Sequence, residues 1–399
     1  REVLRMPLHS QDLAFLASKE VQEFVIEHLT KNTDPLKLAE LLSKTHHFNE
    51  RKQVMDYMQL VPKFQKKFET DKLLLCDTLA LEQSTAKDIS MWKQKLFLNK
   101  KGRLNDLCCG MGGDSFYLPP HWSVTGVDLD PLRLQMYQHN TKAFSKDYSV
   151  AQENAIHFDN SAEYFLIDPA RRSDSSENQR NFVHLTPSIQ EILKIASRYR
   201  GGLAKIPPGY PLEEIPKACE VVYLGKKSDC REALVLFGDF VENSNKMRAV
   251  ILSGEDSYEW VSTLNREDLF IDLEVEALQD YIIEPAPVLI RSRLFVEIAL
   301  QNKLSPFSKG IAYLTSKQAF LEFGFANFKV LETCELKTGA VKKMLKKHDI
   351  GTLTLKKRGV EVIPEQEIKR LAPKGKNEAT LFYTRIAGEK TAVLTERIA

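Results

Sequence analysis

The sequence lacks several features that would assign a class at once. Its 399 residues contain six cysteines, too sparse and irregular for a disulfide framework or for the paired Cys/His ligands of a zinc site: Cys76, Cys108, Cys109, Cys219, Cys230 and Cys334. We therefore predict a reduced, cytoplasmic setting and no metal. No apolar run approaches about 18 residues and no signal peptide is recognisable, so neither a membrane span nor secretion is expected.

Charge of one sign is also not in excess. There are 56 lysines and arginines against 54 acids, a net charge of +2. Any affinity for nucleic acid must therefore come from local basic patches and not from the field of the whole molecule. Internal repeats and low-complexity segments are absent as well. The length and the 43% hydrophobic content predict an ordinary globular chain with two or three cores.

What is present changes in texture along the chain. Residues 1–75 carry apolar residues at helical spacing, which predicts a helical N-terminal domain. From 76 to 245 short apolar strands alternate with helices, the pattern of a parallel, doubly wound sheet. Residues 246–279 form a connecting segment, and 280–399 form a mixed α+β domain rich in basic residues.

The stretch LNDLCCGMGGD, residues 104–114, predicts a nucleotide site. We expect a strand over 104–108, a glycine turn and a helix starting at 114–118, ended by Pro119 and Pro120. Asp106 precedes the first glycine; it would meet a pyrophosphate badly but suits the cationic aminoacyl end of S-adenosylmethionine. In VTGVDLD, Asp128 ends the second strand and can accept from ribose hydroxyls, whereas Asp130 before proline is a predicted helix N-cap.

These motifs resemble the class I S-adenosylmethionine-dependent methyltransferases, and DLCCGMGGDS is most similar to the trimethylguanosine-synthase branch. The implied fold is a Rossmann-like methyltransferase sheet. The resemblance implies these cofactor-binding residues: Asp106, Cys108, Gly110, Gly112 and Gly113 around the methionine part, Asp128 at the ribose, Leu129 against the adenine and Asn154 at the adenine amino group. Asn154 stands where the family usually has an aspartate.

The segment AEYFLIDPARRSDSS, residues 162–176, occupies the place of the chemistry motif. Nucleic-acid amino methyltransferases have (D/N/S)PP(Y/F/W) here, and Asp168 and Pro169 match its first two positions. Asp168 would then hold the acceptor amine. Arg171 replaces the stacking aromatic, and an arginine plane can also stack on a base. We expect Arg171 and Arg172 to contact the substrate, with a solvated loop as the alternative.

The next strand, GGLAKIPPGY, separates this reading from a related one. DPAR-type sequences also occur in RNA uracil-C5 methyltransferases, which need a cysteine nucleophile at the end of that strand. Lys205 stands there instead, so the covalent uracil mechanism is not expected. Lys205 is a candidate substrate-binding residue, or a lysine that closes a strand by reaching solvent.

The segment before the first strand, LALEQSTAKDISMWKQKLF, has two interpretations. It resembles a flank that folds over the cofactor in several RNA methyltransferases, which would turn Thr85, with Gln83 and Ser84, toward the methionine moiety. Alternatively, Ser84 or Thr85 opens an amphipathic helix whose Ile89, Trp92 and Phe97 are core.

Positive charge clusters near the C-terminus. Residues 331–360 hold eight lysines or arginines against three acids, and Gly351 is a predicted helix stop. Four lysines fall on neighbouring helical positions and predict either a phosphate-backbone contact or a solvated face: Lys342, Lys343, Lys346 and Lys347. Residues 280–399 resemble the THUMP-like domain of bacterial methyltransferases, and THUMP domains proper bind RNA.

The sequence thus predicts a methyltransferase that uses S-adenosylmethionine on an RNA base, with an exocyclic amine favoured and tRNA or rRNA as the expected partner. Two other interpretations stay open. One is a protein or small-molecule methyltransferase. The other is an RNA-binding or assembly factor that binds the cofactor without turnover, an option that the atypical DPARR keeps in view.

Overall fold

The computed structural model describes residues 9–31, 33–44, 51–172 and 184–398. The chain forms two compact units. The first comprises Arg1–Glu220 and Leu234–Ser244, and the second Val221–Ala233 and Asn245–Ala399. The predicted division at residues 75, 245 and 279 stays a prediction, since contacts group the chain differently.

The N-terminal helices of the first unit confirm the helical periodicity. They are α1 (Ser10–Leu16), α2 (Lys19–Thr30), α3 (Pro35–Lys44), α4 (Arg51–Phe68), α5 (Thr78–Gln83) and α6 (Lys87–Phe97). Helix α4 buries residues three or four apart, among them Val54, Tyr57 and Val61, so one stripe faces the core. That core also contains Met111 and Phe116, which follow the first strand, so the N-terminal helices pack against the glycine turn.

The sheet of the first unit contains the nucleotide-site motifs. Its elements are β1 (Arg103–Leu107), β2 (Ser123–Asp128), α7 (Pro131–Ala143), β3 (Ser149–Gln152), β4 (Tyr164–Ile167), β5 (Ala170–Arg172), β6 (His184–Thr186), α8 (Ile189–Ala196) and β7 (Gly201–Ile206). Strands β7, β4, β1, β2 and β3 lie in that order, all parallel. The chain leaves β1 toward β2 and later returns to β4 on its other side. The carboxyl ends of β1 and β4 therefore flank the switch point where such sheets bind ligands.

Local signals account for the helix starts. The Asp130 carboxylate accepts from the backbone N–H of Leu132, with Pro131 at the first helical position, which confirms the predicted cap of α7. Ser188 and Glu191 form a capping box that begins α8. Neither Ser84 nor Thr85 caps α6: its N-cap is Ala86, and Ser84 ends α5.

The helix predicted to start at residues 114–118 is wrong. The segment after the glycines is a run of turns, in which the amides of Ser115 and Phe116 donate to the carbonyl of Gly112. Pro119 and Pro120 come too soon for a helix to propagate, because nucleation fixes several residues before further hydrogen bonds repay it.

A buried side chain ties this turn to the N-terminal helices. Asn140 of α7 accepts from the Leu75 amide at 2.7 Å and donates to the carbonyls of Leu75, at 2.9 Å, and Met111, at 3.1 Å. Asn140 is fully buried. These three bonds satisfy it and fix the glycine turn against the chain that leaves α4.

Two strands, β8 (Glu220–Lys226) and β9 (Asp229–Gly238), come next; from Leu234 onward β9 belongs to the first unit and lies beside β7. The second unit continues with β10 (Met247–Ser253), β11 (Asp256–Val261), a 3-10 turn (Glu267–Leu269), β12 (Tyr281–Pro285), α9 (Pro287–Arg291), α10 (Leu294–Asn302), β13 (Ser305–Pro306), β14 (Leu314–Ser316), β15 (Phe325–Glu335), α11 (Thr338–Lys347), β16 (Ile350–Lys357), α12 (Pro364–Leu371), β17 (Asn377–Ile386) and β18 (Glu389–Arg397).

A seven-stranded sheet organises the second unit, in the order β13-β14-β12-β15-β18-β17-β16. Strand β16 runs parallel to β17, and α12 connects them. Alternate residues of β16, including Leu353 and Leu355, are buried in one cluster with Val341 and Met344 of α11. Strands and helices in both units confirm the predicted α/β class.

Candidate active site

The glycine loop follows β1 as a turn that is tightly packed on one side and open on the other. Cys108, Gly110 and Gly112 have positive φ angles of 59°, 54° and 97°. A Cβ on Gly112 would lie 2.7 Å from the ring of Phe116, whereas a Cβ on Gly110 would meet no atom within 4 Å. The loop is therefore packed on its inner side at Gly112 and leaves room at Gly110, where a ligand can approach the backbone.

Asp106 lies beneath this loop and is only 1% exposed. The Ser115 hydroxyl donates to its carboxyl, and the Tyr137 hydroxyl donates to Ser115 at 3.0 Å. Burial raises the pKa of Asp106 to about 8, and the charges of Asp114 and Asp168 act in the same direction. At neutral pH Asp106 is therefore largely protonated, and a nearby cation would favour its ionised form.

Asp128 ends β2 beside the loop, as the spacing predicted. Its carboxylate accepts from the amide of Gly110 at 3.1 Å and from the amide of Asp130 at 3.0 Å. The next side chain, Leu129, is 65% exposed although it is apolar. A fixed carboxylate beside an uncovered apolar side chain offers one polar and one flat contact to a nucleoside.

Asn154 lies after β3 and is half-buried. Its side-chain oxygen accepts from the amide of Ile156 at 3.0 Å, so that oxygen already stabilises a local turn. An adenine amino group would share this oxygen, which has two lone pairs.

These residues fit the methionine, ribose and adenine of S-adenosylmethionine. The fit rests on the room above Gly110, on a buried acid that a cation would ionise and on the fixed carboxylate of Asp128. The assignment of individual contacts stays a prediction.

Asp168 follows β4 and joins the same edge of the sheet. Its amide donates to the carbonyl of Leu107 at 3.3 Å, which places it opposite the start of the glycine loop. One carboxylate oxygen, Oδ2, lies 2.7 Å from the ammonium of Lys205. Lys205, on β7, is buried rather than directed to solvent as the alternative interpretation held. Pro169 is buried and its neighbour Ala170 is exposed.

The predicted arginines lie on a short strand. Arg171 and Arg172 lie on β5, which pairs antiparallel with β6 through Leu185 and His184. Their side chains lie outside the described part of the chain, so the predicted substrate contacts remain predictions.

Thr85 brings two further charged residues to the site that the sequence did not single out. Its hydroxyl lies 3.3 Å from the ammonium of Lys205 and 2.9 Å from Asp114 Oδ2. Lys93 of α6 forms an ion pair with Asp114 Oδ1 at 2.6 Å. Burial opposes ionisation of Asp114, but Lys93 and Lys205 overcome it and hold its pKa below the ordinary value. Thr85 and Lys93 lie in one short segment, just before and within α6, and this nearness in sequence is the only local sign that they act together.

The basic residues of the second unit differ from this arrangement. The four predicted lysines of α11 are all exposed, and Lys347 pairs with Glu332 at 2.7 Å: Lys342, Lys343, Lys346 and Lys347. Helix α11 ends at Lys347, before the predicted stop. Asp349 takes the left-handed conformation, while Gly351 lies in β16, where a Cβ would fall 1.9 Å from the Gly375 carbonyl oxygen.

A pocket of about 370 Å³ in the same unit gathers further cations. Four basic side chains line it, together with Glu284, proline and phenylalanine: Lys227, Lys356, Arg358 and Arg397. Glu284 pairs with Lys356 and lies 3.6 Å from Arg358. These basic residues come from separate parts of the sequence, so no local pattern predicts the pocket.

The described residues hold no helix long and apolar enough to cross a membrane. Within those same residues no group of three or more histidine, cysteine or acidic side chains is arranged to hold a metal ion.

Comparisons with known proteins bear on the class of this protein. Residues 326–397 match the family described as THUMP domain-like. Over 322 residues the chain is 26% identical to an uncharacterized S-adenosylmethionine-dependent methyltransferase of Mycobacterium tuberculosis CDC 1551, covering 79% of this chain and 86% of that protein; its counterpart in strain H37Rv gives the same values.

The fold has a full-length counterpart. A crystal structure of a candidate methyltransferase from Porphyromonas gingivalis W83 covers 99% of this chain and 100% of its own, with a TM-score of 0.75 and 19% identity. The names of these relatives agree with the prediction of an S-adenosylmethionine-dependent methyltransferase, and the solved structure shares the fold of this chain. The match at residues 326–397 confirms a THUMP-like domain near the C-terminus, and its predicted start at residue 280 stays a prediction.

Proposed function

We propose that this protein transfers the methyl group of S-adenosylmethionine to an exocyclic amine of an RNA base. The observation that carries the proposal is the position of Asp168, beside the glycine loop at the switch point of the sheet, with Lys205 on one of its carboxylate oxygens. Asp106, Gly110, Asp128 and the other residues of the glycine-loop and adenine motifs hold the cofactor at the neighbouring strand ends. Thr85, predicted to face the methionine moiety, bonds instead to Asp114 and Lys205. When bound, the cofactor supplies a methyl group on a sulfonium, which is a strong electrophile.

Asp168 has two tasks in this mechanism. Its carboxylate accepts a hydrogen bond from the amine and so orients the nitrogen lone pair toward the methyl group. As the nitrogen–carbon bond forms and the sulfur–carbon bond breaks, positive charge develops on the nitrogen, and the carboxylate stabilises it. The nitrogen then loses a proton to solvent or to Asp168. Pro169 keeps the preceding residue extended, and therefore aimed out of the strand end.

The cysteines argue against the covalent uracil mechanism. Strand β7 carries Lys205 where that mechanism requires a nucleophilic thiol. Cys108 lies in the glycine loop, but burial raises the pKa of its thiol, so the nucleophilic thiolate is disfavoured. We therefore favour direct transfer to nitrogen.

RNA is the proposed substrate because cations are gathered in the unit that contains the THUMP-like residues 326–397. The exposed lysines of α11 and the basic pocket suit a phosphate backbone. We also propose that Arg171 and Arg172 contact the RNA near the acceptor, and that the protein acts in the cytoplasm.

One experiment separates this proposal from its alternatives. The protein is incubated with methyl-labelled S-adenosylmethionine and a total extract from cells deleted for its gene, and the extract is then treated with nuclease or protease. We expect label that nuclease releases, in N-methylated nucleosides. Label released by protease would support a protein methyltransferase. Binding of cofactor and RNA without transfer would support the non-catalytic binding factor.

A further inference from the structure

We propose that Thr85, Asp114 and Lys93 are positioning residues, which together hold Lys205 against Asp168 at the acceptor end of the site. The proposal rests on the proposed function, which makes Asp168 the residue that holds the acceptor. It adds a chain of interactions that runs from α6, through the turn after the glycine loop, to β7 and the end of β4.

The direction of every hydrogen bond in this chain follows from chemistry alone. An ammonium group can only donate, an ionised carboxylate can only accept, and a hydroxyl has one hydrogen to give. Lys205 therefore donates to Asp168 at 2.7 Å and to Thr85 at 3.3 Å. Thr85 must then give its hydrogen to Asp114, at 2.9 Å. Lys93 donates to the other oxygen of Asp114 at 2.6 Å.

Burial makes these partners difficult to exchange. The side chain of Lys93 is 3% exposed, that of Asp114 10% and that of Lys205 10%, whereas Asp168 is 28% exposed at the outer end. A buried charge that loses its partner is strongly destabilised, since water cannot replace the interaction. The alternation of cation, anion, cation and anion leaves each buried group compensated and only Asp168 accessible.

The last glycine of the loop makes the chain possible. A Cβ on Gly113 would lie 3.0 Å from both the backbone nitrogen and the backbone oxygen of Thr85. Glycine therefore lets the segment between α5 and α6 close on the loop. The same approach fixes the Thr85 hydroxyl between Asp114 and Lys205.

These interactions leave one carboxylate oxygen of Asp168 free for the substrate. Lys205 engages Oδ2, and among the described residues no hydrogen bond to Oδ1 is found. Because two of the donors of Lys205 are directed at fixed acceptors, its ammonium cannot turn without breaking a buried bond. Asp168 thus presents Oδ1 in one orientation, which is what an in-line transfer to a flat amine requires.

The test uses Thr85→Val, which replaces the hydroxyl by a methyl group at nearly constant volume. Methyl transfer to total RNA from cells deleted for the gene is measured with labelled S-adenosylmethionine. We expect kcat to fall about tenfold while KM for S-adenosylmethionine changes by less than about twofold. Thr85→Ser, which keeps the hydroxyl, should restore most of the rate. Asp114→Asn should change kcat in the same direction as Thr85→Val.

Two controls separate positioning from folding. Thr141→Val removes another buried hydroxyl, whose hydrogen bonds among the described residues all lie within α7, and should keep the rate. In an Asp168→Ala background Thr85→Val should cost less than about twofold, because its effect passes through Asp168. Full additivity in this double-mutant cycle would overturn the proposal, as would a Thr85→Val variant with the wild-type kcat.

A readout independent of activity completes the test. The buried ammonium of Lys205 should give a ¹⁵N–¹H correlation signal, which Lys205→Met identifies by its loss. Thr85→Val should shift this signal and Thr85→Ser should not. Equal spectra for the wild type, Thr85→Val and Thr85→Ser would show that Thr85 does not fix Lys205. A wild-type protein that labels no RNA would overturn the proposed function, while these spectra still decide whether Thr85 fixes Lys205.

Discussion

The two units use charge in opposite ways. In the first unit Lys93 is 3% exposed and bound to one buried carboxylate, whereas in the second unit Lys347 is 67% exposed beside a carboxylate that is itself open to water. A buried ion pair holds its side chains in fixed positions, because removing one partner destabilises the folded protein by about 3–5 kcal/mol. Exposed pairs contribute roughly 0–1 kcal/mol each and act through their summed field. Under the proposed function, this difference separates residues that orient the reaction from residues that attract a polyanion.

The largest effect should come from Asp168, the accessible end of the buried interactions in the first unit. Asp168→Ala should lower the methyl-transfer rate by about 100-fold or more, since an interaction that positions the acceptor and stabilises developing charge is worth roughly 3 kcal/mol. Cofactor affinity, measured by calorimetry, should remain near that of wild type. Full activity in this variant would exclude the amine-holding mechanism.

Asp128 tests the cofactor side of the same unit. Asp128→Ala should weaken binding of S-adenosylhomocysteine by about 1–3 kcal/mol, because charge-assisted hydrogen bonds to the ribose are lost. Asp130→Ala is the matched control: it removes the cap of α7, so it should lower the melting temperature and leave affinity nearly unchanged. Unchanged calorimetric affinity in Asp128→Ala would remove the ribose assignment.

Asp106 predicts a pH dependence that the exposed charges of the second unit cannot produce. Its pKa of about 8 means that binding a cationic ligand beside it should release close to one proton below pH 8. Affinity for S-adenosylhomocysteine should therefore rise up to about tenfold per pH unit between pH 6 and 7. Calorimetry in buffers of different ionisation enthalpy measures the proton count, which Asp106→Asn should bring to zero.

The same group has a defined effect on stability. Its pKa is raised in the folded state, so from about pH 4 to pH 8 the folded chain holds a proton that the unfolded chain has lost. Stability from this group is fully present below about pH 4 and declines as pH rises toward 8. Denaturation of Asp106→Asn over this range should show a weaker decline.

The smallest single effects are expected in the second unit. Replacing the four lysines of α11 by glutamine should weaken RNA association by about three- to tenfold at physiological salt and flatten its salt dependence, since fewer counterions are released. Lys347 should contribute least because Glu332 already pairs with it. The matched control replaces four exposed lysines of the N-terminal helices: Lys19, Lys31, Lys37 and Lys44. An unchanged salt slope would make α11 a solvated face.

Sequence reasoning was sufficient where the relevant residues are neighbours on adjoining strands. Asp106, Gly110 and Asp128 could be placed at one sheet edge because parallel strands bring their carboxyl ends together. The Asp130 cap followed from its own proline. These signals are local, and the structure has them where the pattern predicted.

Long-range side-chain packing explains what was missed. Thr85 and Lys205 are 120 residues apart, and no periodicity relates them. Whether Lys205 turns inward depends on the anions that face it, which only the folded chain brings together. The end of α11 was misplaced for a similar reason: Gly351 is required by the Gly375 backbone and not by a helix terminus.

The three hydrogen bonds of Asn140 show how strongly the N-terminal segment and the glycine loop depend on each other. The Asn140 amide bonds the carbonyl of Met111 in the nucleotide loop and both backbone groups of Leu75. Without the chain up to Leu75, the fully buried Asn140 amide would lose two of its three hydrogen bonds, and Met111 and Phe116 would lose the N-terminal helices that pack on them. Removal of the N-terminal segment should therefore destabilise the glycine loop unless Asn140 is replaced as well.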